Sequence, residues 1–202
     1  MRCYHRVGMP PRLSAVDRRE QLLAVALNTF AGAGYHETSM NDVADAAGVT
    51  KPVLYQHFDS KQELYLALIG EVGRRLLLAI TKATAGAATG REMTELGFKA
   101  YFRFVGEDRD AFLLMYGSGA SRDEEATAAV RRISAEAARA ISPLIAVDID
   151  PGHRRVLAQG LVGMAEGVSR FLVEQGGEFD PDAVGKQVAD LAWAGLRGVH
   201  PG

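Results

Sequence analysis

One cysteine, one tryptophan and seven prolines are spread over 202 residues, and the formal net charge is only −2. The single thiol, Cys3, cannot close an internal disulfide, so the fold must rest on an apolar core, and the composition suits a reducing cytoplasm. No apolar run approaches the roughly 20 residues of a membrane-spanning helix. The cationic N-terminus lacks the apolar stretch of a secretory signal. No global basic field exists either. Over residues 1–65, Arg2, Arg6, Arg12, Arg18, Arg19, Lys51 and Lys61 are matched by Asp17, Glu20, Glu37, Asp42, Asp45, Asp59 and Glu63. That balance argues against holding nucleic acid by bulk charge and leaves only local cationic faces and helix N-termini for the purpose. Signatures of catalysis are missing as well: there is no G-x-G-x-x-G, P-loop, H-E-x-x-H or pair of cysteines. His5, His36, His57, His153 and His200 show no ligand spacing, and Cys3 with His5 is too little for a metal site. The chain is expected to be neither an enzyme nor a carrier of a metal or cofactor.

What is present is apolar and periodic. Hydrophobic residues make up 48% and charged residues 24%, a globular composition able to bury a sizeable core. Residues 1–13 lack periodicity and read as a flexible arm, within which Met9 is an alternative start to Met1. Ser14 with Asp17 forms a capping box, and Leu23, Ala26, Leu27 and Phe30 repeat at helical spacing until Gly32 and Gly34.

The most informative stretch is Thr38–Lys61. Met40, Val43, Ala44 and Ala47 form one apolar stripe behind a Ser39/Asp42 capping box. Gly48 stands where a helix end takes a left-handed residue. Thr50 is a second N-cap, with Lys51 and Pro52 in the first turn, where proline loses no hydrogen bond. Leu54 and Phe58 give this second helix a buried side. Lys51, Pro52, Val53, Tyr55 and Gln56 are left facing outward. Helix, glycine turn, helix is the unit that lays its second helix in a major groove, although the spacing equally fits a plain capped helical hairpin. The outward face favours DNA. Thr38 and Ser39 suit a phosphate at a helix N-terminus. Lys51 suits a phosphate or a guanine edge, Gln56 an adenine and Val53 a thymine methyl.

Residues from about Arg18 to Leu68 resemble the DNA-binding domain of the TetR family of bacterial transcriptional regulators. The matching pieces are Ala26-x3-Phe30-x3-Gly34-Tyr35, Thr38-Ser39-Met40, Val43-Ala44-x2-Ala47-Gly48-Val49, Leu54-Tyr55-x-His57-Phe58 and Ser60-Lys61-x-Glu63-Leu64. The resemblance implies that Tyr55, His57 and Lys61 contact the phosphate backbone; for His57 the alternative is packing beside Phe58. It implies a homodimer on a palindromic duplex operator, a small-molecule effector, and repression more than activation. Beyond about residue 70 only the architecture can be inferred.

Ser60-x-x-Glu63 opens a long helix on which Leu64, Leu68, Val72, Leu76 and Ile80 step along one side for roughly 30 Å. It reads as a lever between two halves, or an inert spacer, with Gly70 and Gly73 lowering its stiffness. After a small-residue loop, Ala83–Gly90, an aromatic stretch begins. Phe98, Tyr101 and Phe102 share a stripe with Val105. Phe112, Met115 and Tyr116 follow on a short helix capped by Asp108. With Met164 and Phe171 these residues are candidates to line a ligand pocket, the alternative being a filled core. Arg103, Glu166 and Arg170 are candidates to orient a ligand's polar end, or lie on the surface. Gly117-Ser118-Gly119 breaks the short helix, and Ser121-x-x-Glu124 opens another running to about Ile141.

Asp150-Pro151 and Asp180-Pro181 each pair an N-cap with proline at the first helical position. They mark two apolar helices, at about 151–175 and 181–197. Leu161, Val168, Leu172, Val188, Leu191 and Gly195 are candidates for a four-helix dimer interface, against burial within one chain. The expected molecule is all-α, with about nine helices: an arm over 1–13, a three-helix helix-turn-helix domain over 14–60, and a helical regulatory and dimerisation domain over 61–202. The rival reading is a helical interaction protein with no role on DNA.

Overall fold

Side-chain caps set where most of the helices begin. The computed structural model describes residues 14–116, 124–145, 148–176 and 178–200. Among these lie nine α-helices and no strand. Ser14 accepts from Asp17 N and starts α1, Ala15–Ala33. Ser39 and Asp42 close a full capping box on α2, Met40–Ala46. Asp42 is held below its ordinary carboxylate range by the Ser39 backbone and side-chain hydrogen bonds. The short α3 covers Lys51–Tyr55, and Ser60 caps α4, Lys61–Thr84. Thr89, not singled out from the sequence, accepts from Glu92 N and starts α5, Gly90–Glu107. Asp108 accepts from Ala111 N at 3.1 Å and opens α6, Arg109–Tyr116. The chain continues as α7, Glu124–Ile141, then a 3-10 turn, Ser142–Leu144. Asp150 and Asp180 each accept two backbone N–H groups, opening α8, Pro151–Gln175, and α9, Pro181–Leu196. The arm over 1–13, the Gly117-Ser118-Gly119 break and the Ser121 cap lie outside the described residues.

Three apolar clusters organise the packing. The first joins α1, α2 and Leu54 of α3 to the first half of α4, and also takes in Ala111, Leu114 and Met115 of α6. The expected boundary at residues 60/61 therefore falls beside a shared core: Leu64, Tyr65, Leu68 and Val72 of α4 pack with Leu22, Phe30 and Val43. The second cluster gathers Leu76, Phe98, Phe102, Phe112, Ala165 and Val188 from α4, α5, α6, α8 and α9. The third, smaller, closes the far end around Ala138, Ile145, Ala158 and Val162.

Two glycines allow close approaches. A Cβ on Gly185 would lie 2.7 Å from Lys99 Cα, so α9 rests directly on the backbone of α5, the most extensive helix pairing in the molecule. A Cβ on Gly73 would meet Ile133 side-chain atoms at 2.5 and 2.8 Å. Gly73 thus admits α7 against α4, rather than softening the long helix as its sequence context suggested. Gly48, at φ +64°, makes the turn between α2 and α3, where an L side chain is disfavoured.

Candidate nucleic-acid interface and ligand cavity

The turn between α2 and α3 is closed by Gly48 N donating to Asp45 O and Val49 N to Ala44 O. Leu54 and Phe58, at 0 and 1% exposure, anchor the second helix inward. The opposite side faces solvent: Thr50, Lys51, Pro52, Tyr55 and Gln56 are exposed and Val53 is half-buried. Thr50 holds the N-cap position without a side-chain capping bond. The first-turn N–H groups therefore lack that side-chain partner, and unpaired N–H groups at a helix start suit a phosphate. Lys51 Nζ sits 5.8 Å from the Tyr55 ring centroid, so cation and phenol project together.

Two of the expected DNA contacts take other roles. Thr38 is 1% exposed, and its hydroxyl donates to Gly34 O at 2.8 Å. It is a buried staple at the end of α1, not a phosphate ligand. Lys61 is half-buried, and its ammonium donates to the carbonyls of Tyr35 at 2.8 Å, His36 at 3.3 Å and Thr38 at 2.9 Å. All three of its protons are used to tie the α1–α2 link to the start of α4, which displaces the phosphate contact implied by resemblance. His57 is half-buried beside Phe58, ring centroids 6.5 Å apart. Arg19, which the sequence leaves as either a DNA-backbone contact or a solvated cation, has its guanidinium 4.3 Å over the Phe58 ring and donates to His57 O at 2.8 Å. It clamps the end of the reading unit, and nothing short of the folded contact reveals this. Ser39 is exposed but committed to the Asp42 box.

The helical body holds a partly open cavity of about 400 Å³. Phe98, Tyr101 and Tyr116 line it, as the aromatic pattern predicted. Five of the predicted residues do not. Phe102 and Phe112 fill the second cluster, Met164 packs against that cluster, Met115 belongs to the first, and Phe171 is 58% exposed on the outside of α8. Their places are taken by Leu76, Leu77 and Ile80 of α4, Met93 of α5, Ile133, Ser134 and Ile141 of α7, and Leu161, Glu166, Trp193 and Leu196. Position along a helix was legible in the sequence, but which side of each helix meets a void depends on how all six pack.

One wall of the cavity is polar. Glu166 Oε1 accepts from Tyr116 at 2.9 Å and from the Ser134 hydroxyl. Arg170 lies 5.0 Å over the Tyr116 ring and 3.6 Å from Glu166 Oε2. Burial pushes the Tyr101 phenol upward, and burial followed by the charges of Tyr101 and Glu166 pushes Tyr116 upward. Both stay protonated donors at any physiological pH. Arg103 turns away from the cavity and pairs bidentately with Asp182 at 2.6 and 2.8 Å.

The residues expected at a dimer interface divide. Val188 is 7% exposed, packed inside the chain, and Leu161 faces the cavity. Val168 and Leu172 pack against the second cluster. Leu191 is 68% exposed and Gly195 is exposed on α9, and on α8 Val156 and Phe171 stand out at 69 and 58%. Gly160, Gly163 and Gly167, also exposed, have open space for 4 Å around the point where a methyl would project, and they complete a smooth strip along α8.

A short outward helix on a three-helix head, joined by one long helix to a hollow helical body, defines a one-component transcriptional regulator: sensor and DNA reader in one chain. Known proteins agree. Residues 22–68 match the family model of bacterial regulatory proteins of the tetR family, and residues 91–195 match that of tetracyclin repressor-like C-terminal domains. The chain belongs to the TetR family, whose members are transcriptional regulators and not enzymes. It is 32% identical to the HTH-type transcriptional activator FasR of Mycolicibacterium smegmatis over 190 residues, 93% of this chain and 87% of FasR. It is 30% identical to the HTH-type transcriptional regulator BetI of Rhizobium meliloti over 81% of this chain and 79% of BetI. A TetR-like transcriptional regulator from Rhodococcus sp. RHA1 superposes with a TM-score of 0.75 at 29% identity, covering 93% of this chain and all of that one. The chain is therefore a ligand-responsive DNA-binding regulator. Among the described residues no helix is long and apolar enough to cross a membrane.

Proposed function

We propose that the protein is a cytoplasmic repressor that holds a palindromic operator as a homodimer and lets go when an apolar effector fills the cavity. Thr50, Lys51, Pro52, Val53, Tyr55 and Gln56 form the reading face, with Ser39 and His57 at its edges. Exposed Phe171, Leu191 and Gly195 form the dimer contact with the glycine strip of α8. The division of labour is a DNA head ending near residue 60 and a regulatory body beyond it, with α4 belonging to both.

The observation that carries this reading is the reach of α4. Its first turns pack in the core of the head, while Leu76, Leu77 and Ile80 of the same helix line the cavity. From Leu64 to Ile80 is roughly 24 Å of continuous helix at the α-helical rise. α6 makes the same connection over a shorter distance: Leu114 and Met115 pack with the head and Tyr116 faces the cavity. An effector that fits one spacing of the two heads better than the other shifts DNA affinity by that difference, and by no more.

Activation is the second reading, favoured by the similarity to FasR, which is a transcriptional activator. Geometry on DNA is the same in both cases. The sign follows from where the operator lies relative to the promoter. The test is selection of bound duplexes from a random pool, repeated with apolar compounds added. A two-fold symmetric motif with half-sites about 34–36 Å apart, or a multiple of that spacing, released by such a compound, is the expected result. A selected motif without symmetry would reject the homodimer on a palindrome.

A further inference from the structure

Ile133 of α7 rests on α4 at the point where that helix passes from one task to the other. Val72 is the last α4 residue in the core of the head, Leu76 is the first to line the cavity, and Gly73 lies between them. At Gly73 the helix offers bare backbone, and both branches of the Ile133 side chain cover it. A Cβ there would meet Cδ1 at 2.5 Å, Cγ1 at 2.8 Å and Cγ2 at 3.0 Å. Ile133 also lines the cavity. Its other side borders a surface groove of about 310 Å³ between α4 and α7, lined by Leu66, Gly70, Leu77 and Ala129 among others. Leu77 and Ile133 are the residues common to both spaces, so they form the partition between them. Isoleucine in a helix keeps one χ1 rotamer in about nine cases of ten. Ile133 therefore does not swing aside freely, and a push on it passes to the backbones of α7 and α4. The groove behind it gives that movement room, which a close-packed interior would not.

Resting on the reading of this cavity as the effector site, we propose that Ile133 is the positioning residue through which an occupied cavity moves α4. The ligand presses Ile133 against Gly73, the seam between α4 and α7 opens, and the head carried on the first half of α4 turns with it. Leu76 and Ile80 also line the cavity from α4, but they pack in the second cluster with Phe98 and Phe102, so a push there is shared with α5. At Gly73 no α4 side chain intervenes, and a displacement of α7 is delivered straight to the α4 backbone. The contact asks the effector for apolar bulk against Ile133 and for no particular polar group.

The seam can be wedged with no ligand present. Gly73→Ala adds one methyl beneath Ile133, and Ile133→Ala removes all three atoms that it would strike. Affinity for the duplex selected from the random pool would be measured on full-length protein. Gly73→Ala should weaken it about tenfold, within the span of allosteric couplings, and adding Ile133→Ala should restore most of the loss. Gly70→Ala, one turn away on the same face with open space around it, brings the same methyl and the same helix propensity and should leave the affinity as it was. Circular dichroism and sedimentation check fold and assembly. Should Gly73→Ala fail to fold, Ile133→Phe enlarges the same contact from the α7 side and should weaken the operator likewise. Parental affinity in the wedged variant, a loss that Ile133→Ala does not reverse, or an equal loss in Gly70→Ala would overturn the coupling while leaving the cavity an effector site. The cavity reading is tested apart, by titrating the native protein with N-phenyl-1-naphthylamine, an uncharged apolar fluorophore. Energy transfer from Trp193, the chain's one tryptophan and a cavity residue, reports occupation. No transfer at saturating probe would remove the cavity reading, and the role of Ile133 as its sensor with it.

Discussion

Lys61 Nζ donates to the carbonyl oxygen of Thr38 at 2.9 Å, and in doing so binds the first turn of α4 to the residue that precedes the α2 cap. The same ammonium holds Tyr35 O and His36 O and lies 4.6 Å from the Tyr35 ring centroid. A cation so engaged is part of the scaffold of the head. It orients the reading unit without offering a proton to DNA.

Lys61→Met should therefore lower stability in the absence of DNA. The stem survives the change while three charge-assisted bonds are lost and three carbonyls go unpaired, a cost of about 1–3 kcal/mol. Urea unfolding of the DNA-free protein measures it. Unchanged stability with lost operator binding would return Lys61 to the phosphate role.

Tyr55 and Gln56 are neighbours on the exposed face and should fail differently. If the proposed reading face holds, Tyr55→Phe removes one hydrogen bond to a charged phosphate and should weaken every duplex alike, by about tenfold. Gln56→Ala should instead relax preference at one base position, worth about 1–3 kcal/mol of discrimination. Binding to a panel of single-base operator variants separates the two. Equal losses from both changes at all sequences would mean that the face touches only backbone.

The head was legible because its signals are local. Capping boxes at Ser14, Ser39 and Ser60, the Gly48 turn and the Leu54/Phe58 pair act within a few residues, and each reappears in the fold. The cavity was half legible. Phe98, Tyr101 and Tyr116 line it, yet Phe102 and Phe112, beside them on the same stripes, do not. Whether an aromatic ring borders a void or fills one is settled by helices distant in sequence. Ile133 and Ser134 of α7 were overlooked for that reason. Lys61 and Arg19 illustrate the other limit: a cation on a small DNA-binding head reads as a DNA contact until the backbone carbonyls around it can be seen.

The tight α5–α9 contact makes a sharp stability prediction. Gly185→Ala places a methyl 2.7 Å from Lys99 Cα and 2.9 Å from Lys99 N, both backbone atoms that cannot rotate aside. Overpacking of this kind costs about 1–3 kcal/mol, read as a lower unfolding midpoint. Gly32→Ala, also within a helix and with open space around it, serves as the control and should leave stability unchanged or slightly raised.

The α2 cap predicts a direction with pH. Asp42 is held below the ordinary aspartate range by Ser39 hydrogen bonds that favour the carboxylate. A carboxyl lowered on folding stabilises the folded state above its unfolded pKa, and this contribution is lost as pH falls through the folded value. Acid unfolding of the native protein should accordingly begin below about pH 4, the range of an unfolded aspartate, with Asp42 contributing, and Asp42→Asn should flatten that part of the curve. An identical acid limb in the variant would show that the box is energetically idle.

The exposed strip on α8 and α9 makes the strongest demand on the proposed assembly. Val156, Phe171 and Leu191 present large apolar side chains to solvent at 69, 58 and 68% exposure, flanking glycines with open space above them. Surface of that kind favours a second apolar surface packed closely upon it. Leu191→Asp puts a charge into that contact without disturbing the chain's own core, from which Leu191 already points away. Sedimentation should show a dimer become a monomer with the helical spectrum intact. Operator affinity should collapse far more than either Tyr55 or Gln56 changes can achieve, because two heads at a fixed half-site spacing bind as one unit and a lone head binds weakly. A variant that remains dimeric and binds DNA normally would place the dimer contact elsewhere on the body.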